Sequence, residues 1–262
     1  VLPGGSRMTD PISTLDRSRN ELKRLLADTD LLDADVRVLA KPLSPEEAIG
    51  TPGRRDFPIL LGKERVIEAT VDGAKGHAFT DAPRELLGSV RQVLQLELDA
   101  SDRRAIFVAT SNAILRRLGR ADGTVHCRDD DPERCGQEVA AQLLASPGGA
   151  PKSVGLVGLN PALAEHIVEA FGAAQVAIVD RNPDNIGAHR FGVLVGDGDT
   201  DMAALIERSD VVLATGTTLV NGTFDGIWQS IQARGKRGIL YGVTAAGVAA
   251  LLGFERLCPC GR

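Results

Sequence analysis

The chain has 262 residues, of which 43% are hydrophobic, 25% charged and only 3% aromatic. Its formal charge of −5 comes from scattered rather than clustered basic residues, and no apolar run approaches the roughly 18 residues that a membrane-spanning helix needs. These figures predict a soluble protein with no membrane partner. They also predict no nucleic-acid partner, because the aromatic residues are too few for a platform on which single-stranded bases stack. A small molecule is the expected partner.

The length predicts two domains, since one hydrophobic core rarely grows beyond this size. A turn-rich stretch at 146–151 is a candidate linker. We therefore expect a first domain over residues 8–146, beginning at the first methionine, and a second over 151–262. A homodimer is compatible with an α/β protein of this size. Four cysteines and no apolar segment at the start favour a reducing cytoplasm over a disulfide framework.

The first half of the chain has the pattern of a small α+β unit. Leucines at helical spacing predict an amphipathic helix over residues 13–32, and an apolar run follows at 36–39. The Asp72-Gly73 pair between two β-type runs, 65–71 and 76–79, predicts a hairpin. Further helices are predicted over three stretches: 86–98, 103–118 and 133–144.

The second half alternates short apolar strands with helices. Continuous apolar strands between helices indicate a parallel sheet that is covered on both faces, so we predict a doubly wound α/β domain. The predicted strands are 153–157, 175–179, 192–195, 210–214, 237–241 and 254–257.

Candidate ligand-binding residues follow these strands, because open parallel sheets bind ligands at the carboxyl ends of their strands. Asn160 follows the first strand and is suited to be a helix N-cap, with Pro161 at the first helical position. Asp180 follows the second strand, 22 residues after Gly158, near the spacing of a ribose-binding carboxylate. An equally good alternative is that Asp180 only caps a turn.

A loop rich in threonine follows the fourth strand and contains Thr215, Gly216 and Thr217. Backbone N–H groups at such a turn can hold an anionic or carbonyl oxygen, although Thr and Gly are also ordinary capping residues there. Tyr241 ends the fifth strand. No G-x-G-x-x-G fingerprint, Walker A loop, nucleophile elbow or H-E-x-x-H motif is present.

The cysteines fall into two groups in sequence, Cys127 with Cys135 and Cys258 with Cys260. Neither group has the C-x-x-C spacing of structural zinc sites. With His126, Cys127 and Cys258 could hold a soft metal ion if the two domains bring them together. The alternative is that these cysteines are small buried hydrophobic residues.

Several motifs in a consistent order resemble the putative heavy-metal chelation family, over about residue 61 to the end. They are Thr80-Asp81, the segments 108–113 and 125–129, the stretch 209–223, the segment 241–244 and Cys258-Pro259. This resemblance implies an enolase N-terminal-like domain followed by a Rossmann-like domain, with a site between them. It also implies ligands of pterin, flavin, siderophore or metal-chelating type. The residues that the family match would bring to this site are Thr80, Asp81, Asn112, His126, Asp129, Asp180, Thr215, Thr217, Asn221 and Tyr241.

Our first hypothesis from these residues is an enzyme that hydrolyses or condenses a heteroatom-rich small molecule. Asp81 and His126 would exchange protons with the substrate, Asn112 would orient a carbonyl, and the Thr215–Thr217 turn would stabilise negative charge. Phe79 and Tyr241 would face a planar ligand.

The second hypothesis is a non-catalytic protein that binds a metal ion or chelate through His126, Cys127 and Cys258. A metal ion is accordingly a candidate cofactor. A third hypothesis, suggested by Asp180 alone, is a nucleotide- or S-adenosylmethionine-dependent enzyme. The missing glycine fingerprint counts against a dinucleotide.

Overall fold

The computed structural model describes residues 12–32, 41–62 and 64–262, so the predicted run at 36–39 lies outside the described residues. The elements of the first half, in chain order, are α1 (Thr14–Leu26), β1 (Lys41–Leu43), α2 (Pro45–Ile49), β2 (Arg65–Val71), β3 (Ala74–Thr80), α3 (Val90–Val93), α4 (Ser101–Arg117) and α5 (Asp131–Leu144).

The predicted hairpin is confirmed. Strands β2 and β3 pair antiparallel with Arg65 opposite Thr80. Asp72 and Gly73 form the turn with φ angles of 46° and 79°, the left-handed values that a tight hairpin turn requires at both central positions. Strand β1 pairs with the other edge of β2, so the described residues of this half form a three-stranded sheet.

Two of the predicted helices are shorter than expected. Helix α1 begins after the N-cap Ser13 and ends at Leu26, and residues 30–32 form a separate 3₁₀ turn. The helix expected over 86–98 is reduced to α3, where Ser89 and Gln92 form a capping box. A capping box fixes where a helix begins, so Leu86 and Leu87 lie outside it.

The second half contains β4 (Val154–Val157), α6 (Pro161–Phe171), β5 (Val176–Asp180), β6 (His189–Arg190), β7 (Val193–Asp197), α7 (Met202–Arg208), β8 (Val211–Thr215), α8 (Thr217–Asn221), α9 (Phe224–Ala233), β9 (Arg237–Tyr241), α10 (Ala246–Leu252) and β10 (Arg256–Leu257). In the described part of the chain these strands form a seven-stranded sheet in the order β10-β9-β8-β4-β5-β7-β6. All neighbours are parallel except the β6–β7 pair. The predicted α/β class is therefore confirmed.

This sheet is buried on both faces, as the continuous apolar strands predict. Along β8, Val211 and Leu213 pack into one hydrophobic cluster, whereas Val212 and Ala214 pack into another on the opposite face. Side chains alternate between faces along a strand, so both faces need apolar residues. Helix α5 supplies Val139 and Leu143 to the cluster that contains β4 and α6, so it packs on the sheet of the second half.

Helix α4 lies between the two halves and is almost entirely buried from Ala105 to Leu115. A Cβ added to Gly76 of β3 would lie 2.3 Å from the backbone oxygen of Ala109. One added to Gly247 of α10 would lie 2.8 Å from Oδ1 of Asn112. Glycine at both positions therefore allows β3 and α10 to approach α4 on either side.

Asn112 joins these elements through its side-chain amide. Its Nδ2 donates to the carbonyl of His77 at 2.9 Å and to that of Val243 at 3.1 Å, and its Oδ1 accepts from the backbone N–H of Gly247 at 2.6 Å. Asn112 is fully buried. One side chain on α4 thus holds backbone from both halves of the chain.

No helix within residues 12–32, 41–62 and 64–262 combines the length and apolar content needed to cross a bilayer.

We expect Asn112→Ala to lower the free energy of unfolding by about 3 kcal/mol, because it leaves buried backbone groups of both halves without partners. Urea denaturation followed by circular dichroism measures this change. Gln229→Ala, at an exposed position of α9, is the matched control and should change stability by less than about 0.5 kcal/mol. Equal effects of the two substitutions would contradict the proposed role of Asn112.

Candidate functional site

A cavity of about 1020 Å³ lies at the carboxyl ends of β4, β5, β8 and β9. Its position follows from the topology, because β5 lies on one side of β4 in the sheet, whereas β8, which comes later in the chain, lies on the other side of β4. Ligand sites of open α/β sheets form at such switch points. The end of the β2–β3 hairpin and His126 supply the opposite wall.

The structure brings most of the predicted ligand residues together at this cavity. Four lie elsewhere: Asn112, Asp129, Cys127 and Cys258. The predicted residues that line the cavity are Phe79, Thr80, Asp81, His126, Asn160, Asp180, Thr215, Gly216, Thr217, Asn221 and Tyr241.

Two of the lining residues have their side-chain oxygens engaged by backbone. Asp180 accepts from the N–H of Leu159 and from that of Asn182, both at 2.6 Å. Asn160 is the N-cap of α6 and accepts from the N–H of Leu163 at 3.1 Å, as the sequence predicts. These contacts shape the ends of β4 and β5.

The threonine loop is also partly committed to the fold. The N–H of Gly216 donates to the carbonyl of Tyr241 at 3.0 Å, so it is not available to a ligand oxygen. The hydroxyl of Thr217 donates to that of Thr215 at 3.1 Å, and Asn221 Oδ1 accepts from the N–H and hydroxyl of Thr223. What this loop offers the cavity is chiefly hydroxyl groups.

Tyr241 contributes little aromatic surface. Its hydroxyl donates to the carbonyl of Gly158 at 2.8 Å, and burial raises the pKa of this phenol well above its ordinary value. Its ring belongs to a core cluster on one face of the sheet, whereas Phe79 packs against a separate cluster of first-half residues and Ala162 of α6. The pairing of these two rings around a planar ligand therefore has no support from the packing.

His126 lies against Phe79, with ring centroids 5.2 Å apart in an edge-to-face arrangement. Its Nδ1 is at hydrogen-bonding distance from the carbonyl of Cys127, which can only accept, so Nδ1 carries the proton and Nε2 is an acceptor. Burial lowers the pKa of His126 to about 4. At neutral pH the ring is therefore uncharged and is a hydrogen-bond acceptor rather than a proton donor.

His77, which is buried, and the half-buried Glu68 form a pair on the hairpin that supports the backbone of His126. The N–H of His126 donates to Nδ1 of His77 at 3.2 Å, and Nε2 of His77 is 3.1 Å from Glu68. The hydrogen bond with His77, with help from Lys75, lowers the pKa of Glu68 to about 2. Glu68 and His77 thus fix the backbone that carries His126.

Glu64 is a cavity residue that the sequence analysis missed. It precedes β2, so it lies across from Asp81 at the open end of the hairpin. Burial raises the pKa of Glu64 to about 7, and the nearby carboxylates of Asp180 and Asp81 add to this shift. Among the described residues no hydrogen bond or ion pair holds its side chain. A half-buried cavity carboxyl with a raised pKa is typical of catalytic sites.

The predicted residues outside the cavity have other contacts. The amide of Asn112 is fully used in joining the two halves. Asp129 is exposed, has a left-handed backbone with φ of 56°, and accepts from the N–H of Thr51 at 2.9 Å. Both side chains therefore stabilise the fold at places away from the cavity.

The geometry does not favour the metal hypothesis. Within the described ranges, no three side chains among His, Cys, Asp and Glu converge to hold a metal ion. Cys127 lies 3.8 Å from Nδ1 of His126, but that nitrogen is committed to a carbonyl. Cys258 lies on the segment that follows β10.

Comparison with known proteins confirms the family resemblance. Residues 144–255 match the sequence model of DUF364, a family described as putative heavy-metal chelation. A crystal structure from Pyrococcus horikoshii, described as a DUF364 protein with unknown function, is 16% identical, covers 89% of this chain and 80% of its own, and has a TM-score of 0.50. A DUF364 structure from Desulfitobacterium hafniense DCB-2 is 15% identical, covers 91% of this chain and 81% of its own, and has a TM-score of 0.49. No curated protein was found to match. The first structure supports the α/β fold.

The raised pKa of Glu64 predicts a specific pH dependence of stability. The folded protein retains a proton that the unfolded chain loses above pH 4.5, so Glu64 lowers stability progressively as the pH rises from about 4.5 to about 7. Glu64→Gln removes this penalty, and its stability relative to wild type should rise by about 2 kcal/mol between pH 5 and pH 8.5.

Urea denaturation at these two pH values measures this difference. The matched control is Glu85→Gln, which changes an exposed carboxyl, and its effect should be the same at both pH values. A Glu64→Gln effect that is equally constant would show that the carboxyl of Glu64 titrates normally.

Proposed function

We propose that this protein is an enzyme that binds a small heteroatom-rich molecule in the cavity and hydrolyses or condenses it by acid–base chemistry. The observation that carries the proposal is Glu64, a half-buried carboxyl in the cavity wall whose pKa is raised to about 7. A group that is partly protonated at neutral pH can both donate and accept a proton during a reaction.

The charges around the cavity indicate the ligand class. Among the described residues its lining includes four carboxylate residues, Glu64, Asp81, Asp180 and Asp199, and one basic residue, Arg181, which pairs with Asp199 at 3.0 Å. Such a wall accepts hydrogen bonds and repels anions. We therefore expect a neutral or cationic molecule with several N–H groups, such as an aminopyrimidine of the pterin type, rather than an anionic catecholate.

Individual roles follow from the contacts. Glu64 would transfer the proton, and its neighbour Asp81 would keep the pKa of Glu64 raised and accept hydrogen bonds from the ligand. His126, uncharged at neutral pH, would accept a hydrogen bond through Nε2. The hydroxyl of Thr217, which donates to Thr215, would accept a hydrogen bond from a ligand N–H group, and the exposed face of Phe79 would contact an apolar or flat part of the ligand.

The family description is compatible with this ligand class. Compounds that chelate metals carry several nitrogen and oxygen atoms, and the polar groups of the cavity would recognise such atoms. The four free cysteines support a reducing compartment such as the cytoplasm.

Binding of named probes tests the ligand class. Isothermal titration calorimetry at pH 7 with pterin, riboflavin and 2,3-dihydroxybenzoate should show binding of pterin and none of the catecholate. Glu64→Gln should weaken pterin binding by about 10-fold or more, because it removes a charge-assisted hydrogen bond. Glu85→Gln, the exposed control, should bind pterin like wild type.

A compound retained from the cell would test the reaction. Mass spectrometry of small molecules released by denaturing the purified protein identifies it, and Thr217→Trp, which fills the cavity, should lose it. With this compound as substrate, Glu64→Gln should lower kcat by about 100-fold or more. If wild type neither binds a probe nor releases a compound, the proposed function is wrong.

A further inference from the structure

The cavity continues beyond the strand ends into a cleft between α7 and α9. Its lining includes Gly226 and Ser230, which are four residues apart on α9, so the cleft follows that helix for about 6 Å. The two helices are neighbours on one face of the sheet, where Leu205 and Ile227 belong to the same hydrophobic cluster. The residues that line this α7–α9 cleft are Thr200, Met202, Ala203, Gly226, Ile227 and Ser230.

The length of the cavity indicates a ligand larger than one ring system. Its lining comes from the carboxyl ends of five neighbouring strands, in the order β9-β8-β4-β5-β7. With about 4.8 Å between neighbouring strands, these ends extend over about 19 Å. The volume of about 1020 Å³ is at the upper limit of ligand pockets, which are roughly 300–1000 Å³. A bicyclic ring held at Glu64 would therefore occupy only part of the cavity.

Gly226 is a glycine that the fold itself does not require. Glycine destabilises a helix relative to alanine. The described helices contain two other glycines, and close packing explains both. A Cβ added to Gly136 of α5 would lie 2.7 Å from the backbone oxygen of Ala162, and Gly247 packs as closely against α4. Gly226 has a helical backbone, and a Cβ added to it would have no described atom within 4 Å. The missing side chain at Gly226 thus leaves the cleft open.

Two side chains of the cleft carry uncharged hydroxyls. The hydroxyl oxygen of Ser230 accepts from Arg234 at 2.6 Å, so its proton can be donated to a ligand oxygen. The hydroxyl of Thr200 donates to Asp201 at 3.4 Å, so its oxygen can accept from a ligand hydroxyl. The cleft can therefore both donate a hydrogen bond to an alcohol group and accept one from it.

We propose that the α7–α9 cleft is a subsite for an uncharged, hydroxylated carbon chain attached to the ring that the rest of the cavity binds. Met202 and Ile227 would contact the C–H groups of the chain, and the two hydroxyls would bind its oxygens. The carboxylates of Asp180 and Asp199 also line the cavity, so a chain that ends in an anionic group would be repelled. The inference rests on the proposed function, because it describes a second part of the same ligand.

Two probes that share one ring test the subsite. Isothermal titration calorimetry at pH 7 compares pterin with neopterin, which adds a chain of three hydroxylated carbons. We expect neopterin to bind about 10-fold more tightly or better, because the chain adds hydrogen bonds to Ser230 and Thr200. Pterin-6-carboxylate, whose substituent is anionic, should bind no more tightly than pterin.

Three variants locate the preference for neopterin, measured as the ratio of the two affinities. Gly226→Leu fills the cleft with a side chain that a helix favours, and it should abolish the preference. Ser230→Ala removes the donor hydroxyl and should reduce the preference about 3-fold or more. Gln229→Ala, at an exposed position of the same helix, is the control and should retain it.

Gly226→Ala separates a role in binding from a role in folding. Because alanine favours a helix and the added Cβ has open space, this variant should have a higher melting temperature than wild type. A lower melting temperature would show that the fold requires Gly226 and would overturn the inference.

The binding data separate this inference from the proposed function. Equal affinities of wild type for pterin and neopterin would overturn the inference, as would a preference that survives Gly226→Leu. In both cases pterin still binds, and the proposed function stands. If wild type binds neither probe, the ligand class proposed for the cavity is wrong and the inference is overturned with it.

Discussion

The amide side chain of Asn112 is the polar contact on which the arrangement of the two halves depends. It lies on the buried helix α4 and holds the backbone of β3 on one side and the backbone before and within α10 on the other. Tight packing at Gly76 and Gly247 reinforces this contact. Because β3 leads to the hairpin wall of the cavity and residues 242–244 after β9 also line it, this helix holds two parts of the cavity lining together.

Most polar groups at the cavity already have a partner within the protein. Asp180, Asn160 and Gly216 are bonded to backbone groups, as is the hydroxyl of Tyr241. A buried polar group is costly without a partner, so these contacts stabilise the strand ends. Glu64 is different, because its carboxyl is desolvated and close to two other carboxylates, and no compensating contact is found in the part of the chain that the structure describes. Such an arrangement lowers stability, which is why it points to function rather than to folding.

The sequence predicts local features well and contacts between distant residues poorly. The strands of the second half and the turn at Asp72 follow from apolar runs and turn residues, and the structure has them. The place of Asn112 could not be inferred, because its partners are up to 135 residues away in the chain. Glu64 is one of many isolated acidic residues in the sequence. Its position opposite Asp81 is the signal that could have identified it, but this position is known only once the exact register of β2 with β3 is known.

The attachment of β3 and of the segment after β9 to α4 has a consequence for recognition. Because they share a close-packed support, the parts of the cavity lining that they carry are held in a fixed relation to each other before a ligand arrives. Association then requires little loss of backbone entropy, and the free energy of binding would reflect the match between a ligand and fixed groups. A protein built in this way discriminates between related molecules by shape and hydrogen bonding, with no need for a closing movement.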